Sequence, residues 1–375
     1  MKNLLLLLII AGTLFSCSEK KDTTTSYVGP GSEYSITFNE SDNTFDLTES
    51  DSSLTIAGSY TTLASGFKKL TVGTVSGGGS SGPSAGDQAY GVDIPGVVFL
   101  LKPLEANSEI VSMVSKGSCP TGDFNMNWII TGIDSDDTFR KSCVDGQATP
   151  TGVDALGTFS FNASTEVGSL PNLYDICGNE VGDQNQSLGK ITCSNGIGQP
   201  AQEDQAKMYL TANGGAIVKM EDDAGGVDDD DDKVIVGLPV NTVVKASLAD
   251  EYIGMIMMNN SGGQDSVHLI KASVDTNAVI TFSEVNPDTN DDITSNFKDA
   301  SATMTDINQP STGFSRGTYT VKGSDGAGGY VTISNKKVTC MSNQNINGTS
   351  KNFIFCVGEE GSGADQMLNV LLVSK

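Results

Sequence analysis

Two residue types in this chain have the raw chemistry for a reaction: one histidine, His268, and seven cysteines. A Ser-His-Asp or Cys-His triad needs an imidazole flanked by a nucleophile and an orienting carboxylate. The run DSVHLIKAS around His268 comes with no GxSxG elbow and no HExxH helix. In a period-two strand His268 shares a face with Ser266 and Ile270, opposite Val267 and Leu269, which reads as a solvent-side position. The 46 acidic residues single out no carboxylate pair for acid–base work, so no enzyme is expected. The glycine-rich stretch Gly77–Gly82 lacks the Lys-Ser/Thr ending of a phosphate-binding loop and reads as a plain loop.

Hard cations prefer several carboxylate and carbonyl oxygens, and three acidic clusters offer them: Asp134–Asp137, Asp222–Asp232 and Asp288–Asp292. The last, through Asp288, Asn290 and Asp292, is where weak calcium binding is expected, although no cluster has the twelve-residue spacing of an EF-hand. No other cofactor is expected. A formal charge of −24 with only two arginines, Arg140 and Arg316, leaves no basic patch with which to grip phosphates. Nucleic acid is therefore excluded as a partner.

The N-terminus supplies an address. Lys2 precedes the apolar run Leu4–Phe15, which is too short for a bilayer core that takes about 20 residues as a helix. It has the length of a signal-peptide h-region. Leu14-Phe15-Ser16-Cys17 then resembles the lipobox of bacterial lipoproteins. That resemblance implies that residues 1–16 are removed and that Cys17 carries a diacylglycerol, tethering the protein to a membrane. Ser18 after the Cys implies, by the same resemblance, sorting to the outer membrane. The polar run up to residue 33 reads as a flexible tether over 17–33.

With Cys17 set aside, six cysteines remain in an oxidising compartment. Internal matches narrow their pairing. Ile94–Ser115 aligns with Tyr252–Ser273, and LGTFSFN (Leu156–Asn162) with RGTYTVK (Arg316–Lys322). Cys177 and Cys193 share the spacing of Cys340 and Cys356. A tandem duplication read from these blocks pairs Cys177–Cys193 and Cys340–Cys356, and leaves Cys119–Cys143.

Period-two runs such as Thr158–Phe161 and Tyr330–Ile333 alternate with Gly- and Asn-rich turns. Short strands at such spacing predict an all-β fold of two tandem antiparallel β domains, pinned by disulfides. A lipocalin-like meander barrel is favoured over a β-sandwich. The expected layout is a signal at 1–16, the tether, a first β domain at 34–220, an acidic linker at 221–233 around the string DDDDK, and a second β domain at 234–375.

The lipobox start, the segment SGFKKLTVGTV…IPGVVFLLKP and the closing CMSNQN…FCVGEEG…MLNVLLVSK together resemble the cell-envelope lipoproteins abundant in Bdellovibrio-type predatory bacteria. The resemblance implies an envelope setting and transfers no activity or site residue. The expectation is a non-catalytic lipoprotein whose β domains bind protein or glycan. The alternative is a lipocalin-like carrier with Phe99, Leu101, Phe159 and Phe161 lining a cavity for an apolar ligand.

Overall fold

The computed structural model describes residues 24–375 except 30–33, 51–52, 78–81, 95, 103–109, 116, 118, 131–155, 176, 181–184, 202–205, 211–215, 221–232, 261–263, 294–299, 325–329, 345–349 and 359–367. Residues 1–16, Cys17, Cys143, Asp134–Asp137 and Asp222–Asp232 lie outside the described residues.

Each strand forms where apolar and small polar residues alternate. Thr44–Glu49, for example, turns Phe45 and Leu47 inward and leaves Thr44, Asp46 and Thr48 exposed. Antiparallel neighbours joined by short turns then curl into meanders, and a meander of eight strands closes on itself. The chain does this three times. Barrel 1 comprises β1 (Thr24–Val28), β2 (Tyr34–Asn39), β3 (Thr44–Glu49), β4 (Thr55–Thr62), β5 (Lys68–Ser76), β6 (Gln88–Ile94), β7 (Val98–Lys102) and β8 (Val111–Ser115). It closes through two residue pairs, Tyr27↔Ser115 and Val28↔Val114.

Barrel 2 comprises β9 (Phe124–Ile130), β10 (Leu156–Asn162), β11 (Val167–Tyr174), β12 (Gln186–Ser194), β13 (Ile197–Pro200), β14 (Ala206–Leu210), β15 (Ala216–Met220) and β16 (Lys233–Pro239). Barrel 3 comprises β17 (Asp250–Asn260), β18 (Gln264–Val274), β19 (Val279–Glu284), β20 (Ala300–Ile307), β21 (Phe314–Ser324), β22 (Tyr330–Asn343), β23 (Phe353–Gly358) and β24 (Leu368–Ser374). Between barrels 2 and 3 the chain makes one 3-10 turn at Lys245–Leu248.

The all-β, antiparallel, meander-barrel expectation is therefore met, as three barrels in place of two. The domain limits change accordingly. Thr24–Val28, assigned to the tether, is the first strand of barrel 1; its Thr- and Ser-rich outer face reads as a linker until β2 and β8 are seen to flank it. The acidic stretch 221–233 is not an interdomain linker. It runs between β15 and β16, which pair with each other over five residues inside barrel 2, and Lys233 is already the first of those five. Composition alone does not distinguish a connection between two paired strands from an interdomain linker.

The barrels fill with side chains and weld together. Barrel 1 packs Tyr27, Ile36, Phe38, Phe45, Tyr60, Leu70, Phe99 and Leu101 into its interior. Barrel 3 has its own core of Tyr252, Ile256, Ile270, Phe282, Tyr319 and Leu372. A third, continuous cluster joins barrel 2 to the facing walls of the other two: Val92 and Leu100 from barrel 1, Trp128 and Phe159 from barrel 2, and Met255, Leu269 and Phe355 from barrel 3. The strands at this joint are apolar on both faces. In β23, Ile354 and Cys356 point into barrel 3 while Phe353 and Phe355 point at the joint.

Two disulfides are located with both cysteines among the described residues. Cys340–Cys356 joins a registered pair on β22 and β23, as the sequence predicts, with its Cα atoms 3.9 Å apart. Cys193, however, bonds Cys119 and not Cys177, so the expected pairs Cys119–Cys143 and Cys177–Cys193 are not formed. Cys119 lies in the connection between barrels 1 and 2, and the bond ties that connection to β12. Cys177 is also disulfide-bonded. The duplication built on equal Cys spacing fails with the pairing. Its matched segments fall on unlike strands, Leu156–Asn162 on the second strand of barrel 2 and Arg316–Lys322 on the fifth of barrel 3.

Candidate functional site

The sequence Gly66-Phe67-Lys68-Lys69-Leu70 opens β5 and sends consecutive side chains to different destinations. Phe67 is buried in the joint cluster. Lys68 points into barrel 1 on the side of Leu70, and Lys69 points outward. A pleated strand forces this alternation.

Inside barrel 1, Lys68 Nζ lies 3.4 Å from Asp93 Oδ2 on β6. It also sits 4.8 Å from the ring centroid of Phe38 and 4.7 Å from that of Tyr60, within cation–π range. Tyr27 donates its hydroxyl to the same Asp93 Oδ2 at 3.4 Å. Phe38 is the hub of the aromatic floor, packing edge-on to Tyr27, Tyr60 and Phe99. Glu40, exposed on the turn after β2, accepts from Thr25 Oγ1 at 3.0 Å, and its charge bears on Tyr27, Tyr60 and Asp93. The cluster sits at the barrel end carrying the β2–β3, β4–β5 and β6–β7 turns. There the side chains of Lys68 and Asp93 keep 12% and 15% of their exposure, while the rings beneath are buried. The site is a charged rim over an aromatic floor.

Burial dominates its electrostatics. It raises the Asp93 carboxyl above its ordinary value, and the Lys68 ammonium only partly opposes this. The Tyr27 phenol is pushed up by burial first and by the Asp93 charge second. Sequence reasoning missed this site because Lys68, Asp93 and Tyr27 are far apart in the chain. The one available signal was a lysine and an aspartate at inward positions of period-two strands, Lys68 in line with the core residues Leu70 and Val72.

On the outer side of the same turn, Lys69 Nζ contacts both oxygens of Asp288 at 3.0 and 3.1 Å, and Tyr90 Oη donates to Asp288 at 2.8 Å. Ser65 donates to the Pro287 carbonyl at 2.8 Å. These contacts lock the β4–β5 turn of barrel 1 onto the loop after β19 of barrel 3. The three residues expected to hold calcium lie in and beside the loop after β19. Asp288 faces Lys69, Asp292 bonds Lys271 and Ser283, each at 2.9 Å, and Asn290 stands in a left-handed turn conformation. Hydrogen bonding from Lys69 and from Lys271 holds the Asp288 and Asp292 carboxyls below the usual carboxylate range. Among the described residues no group of three or more His, Cys, Asp or Glu side chains is gathered at one place.

His268 departs from expectation. Its face of β18 carries Ile270, Ala272 and Val274 into the barrel 3 core, so the histidine points inward with 17% of its side chain exposed. Nδ1 lies 2.8 Å from Glu284 Oε1. The Glu284 charge also reaches Lys102 of barrel 1, whose ammonium is pushed below its ordinary value by burial.

The carrier's proposed lining residues, Phe99, Leu101, Phe159 and Phe161, are all buried members of packed clusters. Between barrels 1 and 2 a cavity of about 70 Å³ is lined by Val28, Asn195, Ile197, Tyr209 and Leu210.

No family model matches the sequence, and no curated protein does. Among solved structures, the chain is similar to two mutant forms of the vaccine antigen transferrin binding protein B from Haemophilus parasuis Hp5. The first is 10% identical with a TM-score of 0.30, the second 9% identical with a TM-score of 0.32. Each match covers 91% of this chain and 65% of that one, so the chain spans about two thirds of their length. Intact Ap-TbpB, with its N and C lobes, is 10% identical over 94% of this chain and 77% of that one, with a TM-score of 0.28.

Proposed function

We propose that this protein is a non-catalytic lipoprotein of the bacterial outer membrane, held by lipid on Cys17, whose welded barrels present a surface for a protein or glycan partner. The observation that carries the reading is the filling of the barrels. The described interiors are packed with Phe, Tyr, Leu and Ile. An eight-stranded barrel has room for side chains or for one small ligand, not for both. What remains for recognition is the outer surface and the barrel rims, of which the rim of barrel 1 carries the charged and aromatic groups described above. No helix among the described residues is long and apolar enough to cross a membrane; the lipid on Cys17 is the anchor of this reading. The filled interiors also count against the carrier alternative.

Two experiments test this. An alkyne-palmitate label fed to cells expressing the full chain should appear on the wild type and vanish in Cys17→Ala; a label that persists in the variant removes the anchor. The mature protein, immobilised through its N-terminus, should capture a defined envelope or host protein or a glycan from an array. Repeated failure beside a clear small-molecule ligand would overturn the binding role.

A further inference from the structure

We propose that the rim of barrel 1 is a binding site for a primary ammonium group, such as a lysine side chain of a protein partner, which takes the place that Lys68 holds. The inference stands on the geometry of barrel 1 and does not depend on the lipid anchor or on the partner-binding role above.

Three observations support it. The site already binds this chemistry: the Phe38 and Tyr60 faces and the Asp93 carboxylate surround the Lys68 Nζ at 4.8, 4.7 and 3.4 Å. A ring quadrupole and a buried carboxylate recognise an ammonium whichever chain it belongs to. Next, the charges on the rim do not cancel. Lys68 pairs with Asp93, while the Glu40 carboxylate, which accepts from Thr25 Oγ1, adds a second negative charge that bears on Asp93. Lys69 offers no relief, because it points outward to Asp288. Lastly, the rim is reachable from solvent. Lys68 hangs on a flexible four-carbon stem, and both it and Asp93 keep a solvent-facing edge. A chain of net charge −24 draws cations towards such an opening. The buried floor of Tyr27, Phe38 and Phe99 stops a ligand from going deeper. The rim therefore takes a head group only, on a slender aliphatic stem.

The test is chemical rescue in the full mature chain. Lys68→Ala removes a propylammonium fragment and leaves the cage intact, so it should melt below wild type. Added n-propylammonium chloride should raise the melting temperature at concentrations about tenfold below those at which sodium chloride has any effect. The rescue should disappear in Lys68→Ala/Asp93→Asn. If Lys68→Ala does not fold, Lys68→Gln keeps a polar stem. Nα-acetyl-lysine methylamide, followed by tyrosine fluorescence, should then bind that variant about tenfold more tightly than wild type. Either folded variant responding to the amine no better than to sodium chloride overturns the proposal. A pull-down that finds no partner would remove the partner-binding role and leave the amine site standing, whereas lost rescue would do the reverse.

Discussion

At the scale of single residues, two aspartates respond to pH in opposite directions. Asp288 is held below the ordinary carboxylate range by hydrogen bonds from Lys69 and Tyr90. Its contribution to the barrel 1–barrel 3 contact is complete above an ordinary Asp value of about 3.9 and disappears as pH falls through its lowered folded value. Asp93 is raised by burial, so its contribution is complete below the ordinary value and is lost as pH rises through the raised one. Asp288→Asn should therefore lower the melting temperature at pH 7 by about 1–2 °C, the scale of one half-exposed ion pair. The difference from wild type should shrink by pH 3 and in 0.5 M salt. Scanning fluorimetry across that grid checks it, and a difference that persists at pH 3 would mean that Asp288 acts through packing alone. Lys68→Met should be costlier, by about 3–5 kcal/mol in urea denaturation, because it strands the buried Asp93 charge.

At the scale of strands, each barrel has a glycine at a place where two strands crowd together. Gly58, Gly157 and Gly317 each have a neighbouring-strand carbonyl (Thr71, Asn172 and Thr303) where a Cβ would stand, and each lies beside a register shift in its sheet. Bulged, tightly coiled points of small barrels favour glycine. The sequence matches centred on Gly157 and Gly317 thus reflect a shared device of barrel closure and not a common register. Gly317→Ala should cost about 1–3 kcal/mol by urea denaturation; a neutral result would show that β20 and β21 separate easily. The disulfides act at this scale too. In the chain-entropy model the 74-residue Cys119–Cys193 loop is worth about 4 kcal/mol and the 16-residue Cys340–Cys356 loop about 3. Non-reducing peptide mapping should recover a Cys119–Cys193 cross-linked peptide and none joining Cys177 to Cys193. The double serine variant of the longer loop should be the less stable of the two.

At the scale of the molecule, one apolar cluster runs through all three barrels, and further contacts, polar or apolar, stitch every pair of them. Lys69 reaches Asp288 across barrels 1 and 3. Asn127 donates to Thr312 O across barrels 2 and 3. Val114 of barrel 1 packs on Tyr209 and Val236 of barrel 2. A cut at DDDDK, after Lys233, therefore falls within a barrel and not between domains. Enteropeptidase should produce two fragments on a denaturing gel that still elute as one species on gel filtration, because β16 remains clamped between β15 and β9. Fragments that separate would show that barrel 2 is not cooperative.

The sequence by itself determined the β class, the antiparallel meander and the Cys340–Cys356 pair. Period-two alternation and turn residues are local signals, and those two cysteines face each other across neighbouring strands. It could not count the barrels, pair Cys119 with Cys193, turn His268 inward or bring Lys68 to Asp93 and Asp288 to Lys69. Each of those depends on which face of a strand meets its own barrel and which meets another. Only closure and docking of the whole chain settle that, because an alternating strand looks the same from either side until its neighbours are in place.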